Sequence, residues 1–182
     1  MVRLLFLLLI TGCANNGAQL QATTHPLSAL SQLISKHGQV QSSEIQNRID
    51  SIVKKLQISS SYFKVIVLNS DTINAYAGGD NIIVITLPLY KLAKDDDQLA
   101  FVISHELGHL MLHNNLNSNN LDNNQRQTIE LEADQFAITI MSRAGFDSNK
   151  GISILLSDNF NSCQHATESY LPATQRYFKL LR

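Results

Sequence analysis

The sequence predicts an α+β domain that is mostly helical and carries a small antiparallel sheet. Three observations support this. Apolar residues recur at helical spacing through Leu27, Leu30, Leu33 and Ile34, and again through Ile45, Ile49, Ile52, Val53 and Leu56. Two short β-branched and aromatic runs follow, Tyr62–Leu68 and Ile82–Thr86, with the composition of strands. Helical spacing then returns from Asp95 to His113 and from about Gln125 to Arg143. A length of 182 residues suits one domain with a sizeable core.

Each predicted element has its own boundary signals. Pro26 opens the first helix and His37-Gly38 closes it; Ser42 or Ser43 opens the second. Asn69–Thr72 is turn-like, and Gly78-Gly79 marks a further turn or a close backbone approach before Ile82–Thr86. Leu87–Ala93 reads as a short helical connection. Asp95, Asp96 and Asp97 crowd the start of the next helix, where carboxylates satisfy exposed N–H groups and complement the helix dipole. Residues 114–124 are Asn-rich, lack apolar periodicity and read as a loop. Gly145 stops the following helix, Asn149–Leu156 fits a short one, and Pro172 splits the tail ahead of a last helical turn at Tyr177–Leu181.

The ends and the composition limit the function classes. Formal net charge is −1, which gives no electrostatic footprint for nucleic acid. Residues 1–12 read as a secretory signal: Arg3 precedes the apolar run Leu4–Ile10, which is too short to span a bilayer. Ile10-Thr11-Gly12-Cys13 resembles a bacterial lipobox, which implies lipid on Cys13 and membrane anchoring. Residues 13–25 then form a flexible tether to a domain at 26–182. Ala14 after Cys13 points to the outer membrane of a bacterial envelope, facing the periplasm. With Cys13 lipidated, Cys163 has no intrachain partner, so a disulfide framework is not expected.

The chemistry concentrates at His105-Glu106-Leu107-Gly108-His109. On a helix, His105 and His109 lie one turn apart on one face and can share one Zn²⁺. Glu106 follows the first ligand and is placed to take a proton from an attacking water. A catalytic zinc takes three protein ligands. His113 does not qualify, because it lies about 12 Å from His105 along a straight helix. Leu112 and Asn115 stand where a metzincin-type continuation would need Gly and His. Glu130 and Asp134, four residues apart on the next helix, are better placed. Glu130 can be the third ligand, and Asp134 can accept a hydrogen bond from a ligand histidine. Glu132 should face away. The competing reading of Glu130–Asp134 is a solvated acidic face on an ordinary amphipathic helix.

Three motifs in order also carry a family resemblance. Residues 97–109 resemble the active-site helix of the HtpX-like and CAAX-prenyl-protease family of gluzincin zinc metallopeptidases. Glu130–Asp134 is similar to that family's Glu-x-x-x-Asp signature, and Asn74-Ala75-Tyr76-Ala77-Gly78-Gly79 to its Asn-Ala-rich segment. The resemblance covers roughly Ile45 to Gly151 and is closest to the branch that includes soluble periplasmic lipoproteins. It implies a zincin-like fold with one Zn²⁺ per chain on His105, His109 and Glu130. It also implies Glu106 as general base and Asp134 behind a ligand histidine. An extended polypeptide substrate would lie along an edge strand at Ile82, Ile83 and Val84, with Asn74 nearby. Misfolded envelope proteins are the substrate class it implies. The family's C-terminal His-Pro pair is replaced by Leu171-Pro172, which leaves Arg176, His165 and Tyr170 as candidates for stabilising the transition state. The alternative is a non-catalytic or latent chaperone-like module whose zinc is occluded.

Overall fold

The computed structural model describes residues 26–58, 63–78, 81–113, 116, 121–157 and 172–181. Helices α1 (Pro26–His37) and α2 (Ser43–Lys55) come first. Ser42 caps α2, its side chain accepting from the Ile45 N–H at 3.3 Å. Strands β1 (Lys64–Leu68), β2 (Ala75–Gly78) and β3 (Ile82–Thr86) follow, then the short α3 (Leu87–Leu92). Next come α4 (Asp96–Leu112), α5 (Asn123–Arg143), α6 (Ser148–Ile152) and a 3₁₀ turn at Ser153–Leu156. Helix α7 (Ala173–Leu180) starts directly after Pro172, one turn earlier than the periodicity suggests. Among the described residues, no helix is long and apolar enough to cross a membrane.

The sheet corrects two expectations. It is mixed, in the order β1-β3-β2: β1 pairs with β3 in parallel, and β2 pairs with β3 antiparallel. The predicted all-antiparallel pairing of β1 and β3 fails because β2 turns back beside β3 and takes its antiparallel side. Strand β3 is therefore the central strand, and its backbone is hydrogen-bonded on both sides. Its two faces are also covered. Ile83 and Ile85 pack with Val65, Val67 and Ala75 into the main core, which includes α2 and α4. Val84 packs with Ile66, Leu68 and Tyr76 against Leu30 of α1. Strands buried on both faces read as unbroken apolar runs, as Val-Ile-Val-Leu and Ile-Ile-Val-Ile do here.

Helix α4 lies at the centre. Every residue from Gln98 to His109 is buried, as expected of a helix that is apolar nearly all round. Its start is fixed by the acidic cluster. The Asp95 side chain accepts from the Gln98 N–H at 2.9 Å, Asp96 pairs with Arg48 at 2.8 Å, and Asp97 accepts from the Asp147 N–H at 2.9 Å. Helix α5 begins with a full capping box, in which Asp122 and Gln125 each bond the other's backbone N–H. It ends at Gly145, whose φ of +71° is a left-handed stop.

The α4–α5 packing depends on one small residue. A Cβ added at Gly108 would lie 3.0 Å from the Ala133 Cα and 3.2 Å from the Ala133 carbonyl oxygen. The two backbones approach this closely only because position 108 has no side chain. Gly108→Val should therefore force the helices apart and cost about 1–3 kcal/mol of stability. Urea unfolding of the two proteins checks this, and an unchanged midpoint would contradict it.

Candidate active site

The two long helices run antiparallel, and each contributes residues one turn apart on the facing side. Residues four apart point the same way, so His105 and His109 of α4 meet Glu130 and Asp134 of α5. His105 Nε2 and His109 Nε2 lie 3.1 Å apart. Glu130 Oε2 is 3.6 Å from the first and Glu130 Oε1 is 3.5 Å from the second. One ligand atom from each of the three residues falls within 4.8 Å of the others, and all three residues are buried. The arrangement could hold a metal ion.

The donor chemistry fits a divalent cation. Asp134 Oδ1 lies 2.9 Å from His105 Nδ1 and accepts its proton, which leaves the Nε2 lone pair turned inward. Two imidazole nitrogens facing each other beside a carboxylate need a proton or a cation between them. Charge points the same way. The carboxylates of Glu106, Glu130 and Asp134 are all buried, and the neighbouring cation is the guanidinium of Arg176, also buried. Glu130 and Asp134 together outweigh the one guanidinium by a negative charge, and ionised Glu106 would add a second, so the site favours a bound cation. Two imidazoles and one carboxylate form a common donor set for catalytic zinc.

Glu106 is fully buried, and neither of its oxygens has a hydrogen-bond partner among the described residues. Burial pushes its carboxyl up to about 8, and the nearby Glu130 adds to this, while His105 and Arg176 oppose it. The Ala77 backbone amide, in β2, also favours the charged form, although it does not close a hydrogen bond. Asp134 behaves oppositely. Burial works against its ionisation, but the Arg176 guanidinium and the bond to His105 outweigh burial and hold it well below the usual carboxylate range. Burial would also keep His105 neutral, but its bond to Asp134 raises it above the ordinary value. His109 is held well below its ordinary value by burial and by His105.

The remaining predicted residues are placed as follows. Asn74 is buried at the foot of β2. Its N–H bonds Thr86 Oγ1 at 2.9 Å, and its own Oδ1 has no partner among the described residues. Ile82, Ile83 and Val84 cannot receive a substrate strand: they belong to the central strand, and Ile83 and Val84 are core residues. The sheet edge beside Glu106 is β2, marked by the Ala77 amide. Arg176 is 2% exposed and forks onto Asp134, with Nε at 2.8 Å from Oδ2 and Nη2 at 2.5 Å from Oδ1, while Nη1 lies 2.9 Å from Glu130 Oε2. Its guanidinium is thus engaged by α5. Glu132 is exposed and faces His113 at 3.5 Å, away from the His105–His109 pair. His113 caps α4 but is buried, and burial lowers its basicity despite the helix dipole. Cys13, Cys163, His165, Tyr170 and Leu171 lie outside the described residues.

Sequence reasoning missed Ala77 and the bridging role of Arg176. The Ala-Tyr-Ala-Gly run has little β-branched character, so it gives only a weak strand signal.

Comparison with known protein families agrees with this geometry. The model of Peptidase family M48 matches residues 39–123, which include β1 to β3 and the His-Glu-x-x-His helix. The model of Peptidase U49 matches residues 97–157, which include α4 and the Glu130–Asp134 helix. A search of curated proteins gave no significant match. The two matches overlap on the helix that carries His105, Glu106 and His109, and together they support a metallopeptidase similar to the M48 family.

Proposed function

We propose that this protein is a zinc-dependent endopeptidase of the bacterial cell envelope. In this reading it is anchored through lipid on Cys13, faces the periplasm and cleaves misfolded envelope proteins. The observation that carries the enzymatic part is the convergence of His105 Nε2, His109 Nε2 and the Glu130 carboxylate beside the unpartnered Glu106. The lipobox-like Ile10–Cys13 and the family resemblance support the location and the substrate class.

His105 and His109 would hold the ion through Nε2, and Glu130 through its carboxylate. A zinc ion bound there supplies positive charge for the scissile carbonyl oxygen and acidifies the attacking water. Asp134 keeps the His105 proton on Nδ1, so Nε2 remains a donor of its lone pair. Glu106 takes one proton from the attacking water onto its carboxylate as the water oxygen bonds the carbonyl carbon. It then delivers that proton to the amide nitrogen as the C–N bond breaks. Desolvation suits Glu106 to this task, because it lets the carboxylate hold a proton near neutral pH. An extended substrate would pair with the outer edge of β2, where the Ala77 backbone adjoins Glu106.

One observation favours a second reading, a latent or non-catalytic binding module. His105, Glu106 and His109 are each at most 1% exposed, so a substrate must open the site to reach them. Cleavage of casein or another unfolded protein separates the two readings.

Glu106→Gln should keep zinc at the wild-type stoichiometry and cut the cleavage rate by about 100-fold or more. An undiminished rate in a zinc-loaded variant would rule out Glu106 as the base. Asp134→Asn should weaken zinc binding by about 10–100-fold, read by chelator competition. Affinity equal to wild type would show that Asp134 does not set the His105 tautomer.

A further inference from the structure

Arg176 reaches the site from α7, 42 residues beyond Asp134. It contacts both acidic residues of α5. Nε and Nη2 take the two oxygens of Asp134, and Nη1 takes Glu130 Oε2 at 2.9 Å. Nη2 also lies 3.4 Å from His105 Nδ1, so one planar group spans the back of three site residues. The side chain is 2% exposed and the neighbouring Ala173 is fully buried, so the helix that delivers it is seated.

Glu130 and Asp134 are one turn apart, and their carboxylates repel each other. Glu130 has several rotatable bonds, and its burial alone does not decide which oxygen turns toward His105 and His109. The guanidinium fork settles both questions. It screens the repulsion and pins Oε2, while Oε1 stays toward His109. Lysine cannot replace it, because an ammonium is a point charge without the planar fork that bridges two carboxylates.

We infer that Arg176 is a positioning residue that sets the Glu130 carboxylate in its metal-binding pose and ties Asp134 to His105. This rests on the reading of His105, His109 and Glu130 as metal ligands. The expected role of Arg176 in transition-state stabilisation gives way to one exerted through the ligands.

The test uses the full chain and its Arg176→Lys, Glu130→Gln and double variants. Zinc affinity is measured by chelator competition, the Co²⁺-substituted proteins by visible absorption, and the metal-free proteins by urea unfolding. Arg176→Lys should fold, lose about 10–100-fold in zinc affinity and show an altered Co²⁺ spectrum. Adding Arg176→Lys to Glu130→Gln should cost much less affinity than it does in the wild type, because the residue acts largely through Glu130. Wild-type affinity and an unchanged Co²⁺ spectrum in Arg176→Lys would overturn the inference while leaving the ligand assignment intact. Failure of the wild type to bind either ion would overturn the ligand assignment, and this inference with it. Should Arg176→Lys not fold, Arg176→Met carries the same comparison. Loss of fold in both variants would overturn the positioning role in favour of a structural one.

Discussion

Buried charge between α4 and α5 shapes this structure. Glu106, Glu130 and Asp134 are withdrawn from water, and Glu130 and Asp134 share one buried guanidinium, that of Arg176. Burying an unpaired carboxylate is costly, so such a cluster persists only where each charge has a partner or a proton. Asp134 has Arg176 and His105, and Glu130 has Arg176. Glu106 has neither a cation nor a hydrogen-bond partner among the described residues, and its carboxyl is pushed upward in consequence. An apolar core of the same volume would avoid these costs. Their presence fits a site that could hold a cation.

The fold serves this constraint by bringing two helices unusually close. Gly108 and Ala133 allow the contact, and the i, i+4 pairs on each side converge because they share its geometry. The sheet backs α4 from one side, with β2 nearest to Glu106 and β3 locked between its neighbours. The same arrangement explains why a substrate strand would be received by β2. A central strand has no free N–H or C=O groups to offer. Helix α7 supplies Arg176, so a segment far along the sequence contacts the acidic residues of α5.

Much of this was legible in the sequence, for physical reasons that can be named. Helical spacing placed His105 with His109 and Glu130 with Asp134, because side-chain direction on a helix follows residue number. The Asp95–Asp97 cluster and Ser42 announced helix starts through their capping chemistry. The sheet order was not legible. Register and strand neighbours depend on tertiary packing, and Ala75–Gly78 has too little β-branched character to declare itself a strand. The unbroken apolar runs at residues 65–68 and 82–85 did carry a signal, since strands without alternation are buried on both faces, which argues against an edge position for β3. The pairing of Arg176 with two carboxylates more than forty residues away was likewise beyond any local rule.

The group of His105, His109 and Glu130 could hold one metal ion, which we propose is zinc. The most direct measurement is anomalous diffraction at the zinc edge from crystals of the zinc-loaded protein. One strong peak per chain is expected, within about 2.0–2.2 Å of His105 Nε2, His109 Nε2 and a Glu130 oxygen. A peak elsewhere, or no peak in that position at full zinc loading, would contradict it.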